Sequence, residues 1–130
     1  MNKISTANIS SPSVTSADLI REMFAIIDTG RDWQKFNQVF APNGVYFRPG
    51  YPAIRGIENL QEFYTLTRQV KQGRHYLHEI VSEGSTSCCW GMFSGTTKSG
   101  ERVVVNFTDW YKFANRLITY RRTFFYQPVI

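Results

Sequence analysis

Apolar residues recur at spacings of three and four in the first half of the chain and at spacings of two in the second. Over residues 16–28, Leu19, Ile20, Met23, Phe24 and Ile27 share one helical face, and Ser16 can cap its start. Gly30 ends this helix and Asp32 can cap the next turn. Trp33, Phe36, Val39 and Phe40 then predict a second, short helix, packed on the first as an αα-hairpin. Pro42-Asn43-Gly44 signals a turn, and residues 45–48 form a short strand stopped by Pro49-Gly50. A third helix is predicted over 57–66, with Ile57, Leu60, Phe63 and Tyr64 facing inward.

From His75 onward the alternation predicts long strands over 75–83, 86–98, 101–113 and 117–127. Gly84-Ser85, Ser99-Gly100 and Ala114-Asn115-Arg116 serve as hairpin turns. Helices followed by such a run predict an α+β domain, in which the helices cover one face of a curved antiparallel sheet. The concave face and the helix layer can then enclose a cavity, the natural place for a ligand.

Composition narrows the classes. The chain has 130 residues, enough for one domain, assigned to 16–130 behind a polar leader at 1–15 that is expected to be flexible. No apolar run reaches the length of a membrane span and the start has no signal-peptide core, so a cytoplasmic location without membrane contact is expected. The net charge of +5 is spread along the chain and no nucleic-acid motif accompanies it, so no nucleic-acid partner is expected. Cys88 and Cys89 are adjacent and point to opposite faces of a strand, which supplies neither a disulfide framework nor metal-ligand spacing. No cofactor and no metal are expected.

Candidate chemistry comes from polar residues on apolar faces. In N-F-T-D-W-Y-K-F, Asp109 shares its strand face with Val103, Val105, Phe107, Tyr111 and Phe113. An enclosed carboxylate suits proton transfer, or it is a structural group paired with a tyrosine or an arginine. On the last strand Ile118, Tyr120, Phe124 and Tyr126 share a face that Arg122 interrupts, whereas Arg121 points the other way. Arg122 must then find an anion, either Asp109 or a group on a ligand. Arg48 stands at a strand end where it looks into the cavity mouth or into solvent. His75 and His78 lie on opposite faces of a regular strand, and His78 shares its face with Tyr76 and Ile80. Phe47, Trp90, Met92, Phe107, Tyr120 and Phe124, with His78, are the expected substrate-binding wall. Cys88 has no partner that would activate it as a nucleophile.

In order and spacing these elements resemble the NTF2-like superfamily, within it the SnoaL-like and ketosteroid-isomerase-like proteins. The cues are I-I-D-T-G-R-D-W, then V-F-A-P-N-G-V-Y-F-R-P-G with R-G-I-E-N-L-Q-E-F-Y, then G-E-R-V-V-V-N-F-T-D-W-Y-K-F leading into R-L-I-T-Y-R-R-T-F-F. They cover roughly residues 16–127. The resemblance implies a cone-shaped α+β barrel of the cystatin-like kind, with the sheet wrapped around three N-terminal helices. It also implies a homodimer through the outer sheet face and a deep apolar pocket. Asp109 matches the strand acid of the isomerases, the general case of a carboxylic acid held by an apolar site, and Tyr64 matches the helix tyrosine that supports it. The isomerase base falls at Arg48, which cannot abstract a proton, and the oxyanion tyrosine falls near Met23 or Phe24. Thr123 stands where epoxide hydrolases of this fold have their late aspartate. The implied function is a cyclase or isomerase acting on an apolar carbonyl- or carboxylate-bearing substrate, with Asp109, Tyr64, Arg48 and Arg122 in the catalytic site. The alternative is a non-catalytic ligand-binding or dimerisation module.

Overall fold

A computed structural model describes residues 14–127. The expected leader falls outside the described residues except for Val14 and Thr15. Helix α1 (Ser16–Thr29) is capped by Thr15 rather than Ser16. The Thr15 hydroxyl accepts from the Asp18 N–H at 3.1 Å while the Asp18 carboxylate accepts from the Thr15 N–H at 3.0 Å, a reciprocal box. Gly30 ends the helix at φ 68°, and its N–H reaches the Ile26 carbonyl at 2.9 Å. The apolar face of α1 buries Leu19, Ile20, Met23, Phe24, Ile26 and Ile27.

The next elements depart from expectation at their edges. Trp33–Gln38 is a 3₁₀ helix, and Asp32 makes no side-chain cap on it. Val39 and Phe40 leave that helix, and Phe40 opens strand β1 (Phe40–Phe47), so the Pro42-Asn43-Gly44 signal lies inside a strand. The disturbance it causes is a register shift between Phe40 and Val45. A two-residue strand, β2 (Ile54–Arg55), pairs with β1. Helix α2 (Ile57–Glu62) runs into a π-helical turn, Phe63–Thr67, where an α-helix to residue 66 was predicted.

Four long strands follow: β3 (Val70–Glu83), β4 (Thr86–Thr97), β5 (Arg102–Ala114) and β6 (Leu117–Phe125). They join β1 and β2 in one curved, unclosed sheet of order β2-β1-β6-β5-β4-β3. Every pairing is antiparallel except β1 with β6, which is parallel. The core lies between the helices and the concave face, where Phe36, Phe40, Tyr46, Leu60, Phe107, Tyr111 and Ile118 are buried with α1.

Which side chains face inward is decided by two bulges. On β3 the pairing passes from Leu77 to Glu79 and leaves His78 unpaired. On β6 it passes from Ile118 to Tyr120 and leaves Thr119 unpaired. One extra residue reverses the inward-outward parity beyond it. Ile118 is therefore inward and so are Arg121, Thr123 and Phe125, whereas Tyr120, Arg122 and Phe124 turn to the outer face. Arg122 and Arg121 thus exchange the faces expected of them. Likewise His75 turns inward and His78 is exposed.

Strand β4 has no such break between its pairings with β5, yet its expected wall is also reversed. Its buried positions are Ser87, Cys89, Gly91, Phe93, Gly95 and Thr97, so Cys88, Trp90 and Met92 lie on the convex face. At two of the concave positions only glycine fits, because a side chain there would meet the neighbouring strand. A Cβ on Gly91 would strike the Tyr76 carbonyl, and one on Gly95 would strike the Gln72 carbonyl and the Phe93 ring. Gly91→Ala should therefore lower stability by about 1–3 kcal/mol, the usual cost of overpacking, measured by urea unfolding. A variant as stable as the parent would show that the curvature does not depend on this close approach.

Candidate functional site

A cavity opens between the concave face of the sheet and the π turn. Strand β1 and the residue after it supply Tyr46 and Arg48, and the π turn and the residue after it supply Tyr64 and Arg68. The long strands add Val70, His75, Phe93, Val105, Phe107, Arg121, Thr123 and Phe125. Its volume is about 30 Å³, room for one or two waters or for the head of a small ligand in this arrangement.

At the base of the cavity sits a closed polar network. Asp109 is 0% exposed and lies behind the lining, below Arg121 and Thr123. Its Oδ2 accepts from Tyr111 Oη at 2.6 Å and from Arg121 Nε at 2.9 Å, and its Oδ1 accepts from Thr123 Oγ1 at 2.6 Å. Three donors on one carboxylate are contacts that its ionised form accepts. Because the Thr123 hydrogen goes to Asp109, the hydrogen in the 2.7 Å contact between Tyr46 and Thr123 comes from Tyr46. Burial works against the Arg121 charge, but Asp109 and the surrounding tyrosine oxygens outweigh it and raise the pKa well above the ordinary arginine value. The guanidinium is also sandwiched, 4.2 Å from the Tyr46 ring and 5.0 Å from the Phe24 ring. Burial, then Asp109, pushes the Tyr111 phenol well up, and burial pushes the Cys89 thiol up to about 12, which leaves both protonated at neutral pH.

Arg121 also reaches upward. Its Nη1 donates to Tyr64 Oη at 2.6 Å. Since that oxygen receives a hydrogen from a cation, the Tyr64 hydroxyl hydrogen is free to point elsewhere, and Tyr64 lines the cavity.

On the opposite wall stands His75. Its Nδ1 meets Asp28 Oδ1 at 2.6 Å and its backbone N–H donates to Asp28 Oδ2 at 2.8 Å, so the end of α1 holds the ring. The ring packs 4.4 Å from Phe24 and 4.7 Å from Phe93, centroid to centroid. Burial lowers the His75 pKa below the usual 6.5, and the bond to Asp28 opposes that fall only in part. Among the described residues no protein partner lies on its Nε2.

The cavity brings together some of the expected site residues and leaves others out. Tyr64, Arg48 and Phe107 line it, and Asp109 lies just beneath it. Arg122 is on the outer face, stacked 4.1 Å from the Phe47 ring and bonded to Tyr120 Oη at 2.6 Å. Phe47, Tyr120, Phe124, Trp90, Met92 and His78 do not line the cavity either. The partner expected for Asp109 was Arg122, and the structure gives Arg121. Sequence reasoning missed His75 with Asp28, and also Tyr46 and Arg68. A signal did exist for His75, since a polar ring within three residues of a second histidine invites both parities to be weighed. Among the described residues no group of three or more His, Cys, Asp or Glu side chains is arranged to hold a metal.

A family model described as a SnoaL-like domain matches residues 20–121. A search of curated protein sequences finds no match. Among solved structures, a protein from Jannaschia sp. CCS1 that bears the name of a SnoaL-like polyketide cyclase aligns at TM-score 0.75 and 17% identity over 89% of each chain. A protein of ketosteroid isomerase-like fold from Catenulispora acidiphila, solved with trimethylamine, aligns at TM-score 0.74 and 14% identity over 85% of this chain and 86% of its own. An LEH-like epoxide hydrolase of M. tuberculosis aligns at TM-score 0.72 and 14% identity over 85% of this chain and 81% of its own. At such identities the likeness establishes the fold.

Removing the charge of Asp109 would strand a buried guanidinium. Asp109→Asn should cost about 3–5 kcal/mol in urea unfolding, and Tyr111→Phe, which removes one donor, about 1–3 kcal/mol. An Asp109→Asn protein unfolding at the parental urea concentration would mean that the pair contributes nothing to the fold.

Proposed function

The chain belongs to the SnoaL-like domain family, and on that footing we propose that it is an isomerase or cyclase that moves a proton on an apolar, carbonyl-bearing small molecule. The observation that carries the proposal is the His75–Asp28 pair, whose ring lines the cavity and whose Nε2 has no partner among the described residues. An ionised carboxylate only accepts, so the shared hydrogen sits on Nδ1 and the lone pair is left on Nε2. That nitrogen is the base. It takes a proton from the carbon beside the carbonyl, and Asp28 stabilises the imidazolium that forms. The electrons move onto the carbonyl oxygen, where the Tyr64 hydroxyl, polarised by Arg121, donates to the enolate. Return of the proton at another carbon of a conjugated system gives isomerisation; attack of the enolate carbon on a second carbonyl, whose oxygen takes the electrons and then the proton from Nε2, gives ring closure.

Asp109, first expected as the acid or base, becomes a positioning residue that acts through Arg121. Arg122 has no part in the chemistry. The neighbour named for a polyketide cyclase supports the ring-closing form. The proposed homodimer is supported by Val104, Trp110 and Phe124, which are half exposed on the outer sheet. Among the described residues no helix is long and apolar enough to cross a membrane.

The test is deuterium incorporation from D2O into a series of enolisable ketones from acetone to 2-tetralone. His75→Gln should reduce exchange by about 10²–10⁴-fold. Because burial lowers the His75 pKa, the base form persists below pH 6.5, and exchange should fall only as pH drops through that lowered value. The imidazole signal of His75, assigned against His75→Gln, should titrate with the same midpoint. A midpoint above 6.5, or exchange unchanged in His75→Gln, would favour the non-catalytic ligand-binding alternative.

A further inference from the structure

Two cations on the cavity wall have no ion-pair partner among the described residues. Arg48 is 7% exposed and Arg68 is 8% exposed, and both line the cavity. Arg48 Nη1 and Arg68 Nε are buried without a hydrogen-bond partner among the described residues. Neither arginine forms an ion pair among the described residues, where the salt bridges are Arg121 with Asp109 and His75 with Asp28. Asp109 is engaged by Arg121 and Asp28 by the neutral His75 ring, so with Arg48, Arg68 and Arg121 set against these two acids the surroundings of the cavity keep an excess of one positive charge. Aromatic faces hold the guanidiniums in place: Arg48 lies 5.1 Å from the Phe125 ring and 5.5 Å from the Phe63 ring, and Arg68 lies 4.9 Å from the Tyr64 ring. Such stacking orients a guanidinium but leaves its N–H groups unsatisfied. Burial lowers the Arg68 pKa; the Tyr64 oxygen and Asp28 oppose that fall in part, and repulsion from Arg48 adds to it.

A folded protein keeps unpaired buried cations at a cost in stability. They are explained if an anion completes them. We propose that Arg48 and Arg68 form a clamp for the carboxylate of the ligand, so that the substrate is an apolar acid. The planar fork of arginine matches a carboxylate through two parallel N–H bonds, and the apolar side chains of Val70, Phe93, Val105 and Phe107 in the same cavity suit the hydrocarbon body of an organic acid. The proposal rests on the cavity being a substrate site, as the proposed function has it. It adds the class of substrate and a residue, Arg68, that sequence reasoning did not single out.

Calorimetry and thermal unfolding of the full chain with benzoate and 1-naphthoate, against benzamide and 1-naphthamide, test it. The acids should bind at least tenfold more tightly than their amides and should alone raise the melting temperature. Arg48→Met and Arg68→Met should each weaken acid binding at least tenfold, with the ligand-free protein as stable as the parent or more so, because an unpaired buried charge has gone. A fall in ligand-free stability with acid binding unchanged would make the arginines structural and overturn the clamp. Equal binding of acid and amide would do the same. Inorganic phosphate bound through the same arginines more tightly than benzoate would overturn the carboxylate assignment. Should a methionine variant fail to fold, a potassium chloride series on the parent decides: acid binding must weaken with salt, and indifference to salt refutes the clamp. Acid binding that persists in His75→Gln, with no ketone exchange by the parent, would sink the proton-transfer function and leave the clamp intact. Ketone exchange by the parent without acid binding would do the reverse.

Discussion

The ion pair between Arg121 and Asp109 is the constraint around which the interior is arranged. A carboxylate with no exposure and a guanidinium 3% exposed are tolerable only together, and only when their remaining hydrogen-bonding capacity is met. Tyr111 and Thr123 complete the acid, Tyr46 completes Thr123, and Tyr64 takes the outer nitrogen of the arginine. Those groups come from β5, β6, β1 and the π turn. The network therefore ties the helix layer to three adjacent strands through directional contacts, where apolar packing alone would leave their relative placement looser.

Above this saturated floor the polar groups are left open. Among the described residues His75 keeps one nitrogen unpaired, and Arg48 and Arg68 keep N–H groups unpaired. A protein selected for stability alone would cover or replace them, as the base of the same cavity shows it can. The contrast between a completed network below and an incomplete one above separates what holds the fold from what awaits a ligand. The π turn lies on that boundary: Tyr64 belongs to the floor, and Arg68, whose N–H reaches the Phe63 carbonyl at 2.9 Å, belongs to the mouth.

Much of the fold was legible because periodicity survives within an element. The apolar face of α1, the four long strands and the hairpins were readable from spacing, and Asp109 was rightly aimed inward because β5 runs unbroken from Val103 to Tyr111. Tyr64 was aimed inward from its helical spacing and lines the cavity, as does Arg48, which local pattern left between the cavity mouth and solvent. What could not be read depends on a partner strand. The bulges at His78 and Thr119 exist only as register against β4 and β5, and each carries the wrong residues to the cavity when a strand is taken as regular. On β4 hydrophobicity pointed to Trp90 and Met92, but backbone clearance decided for Gly91 and Gly95. The pair His75–Asp28 spans 47 residues of sequence and has no local signature.

The Thr119 bulge bears on how this chain can be compared with its relatives. Its extra residue makes Arg121 an inward neighbour of Asp109 and Arg122 an outward one. A relative without it would present the residue written opposite Arg122 to its own cavity. An alignment column drawn through this strand without a gap at Thr119 would then equate a pocket residue with a surface residue, and at identities of 14–17% the score would scarcely register the error. Against such a relative, every position after Thr119 on this strand would be displaced by one, as the bulge at His78 would displace those after it on β3.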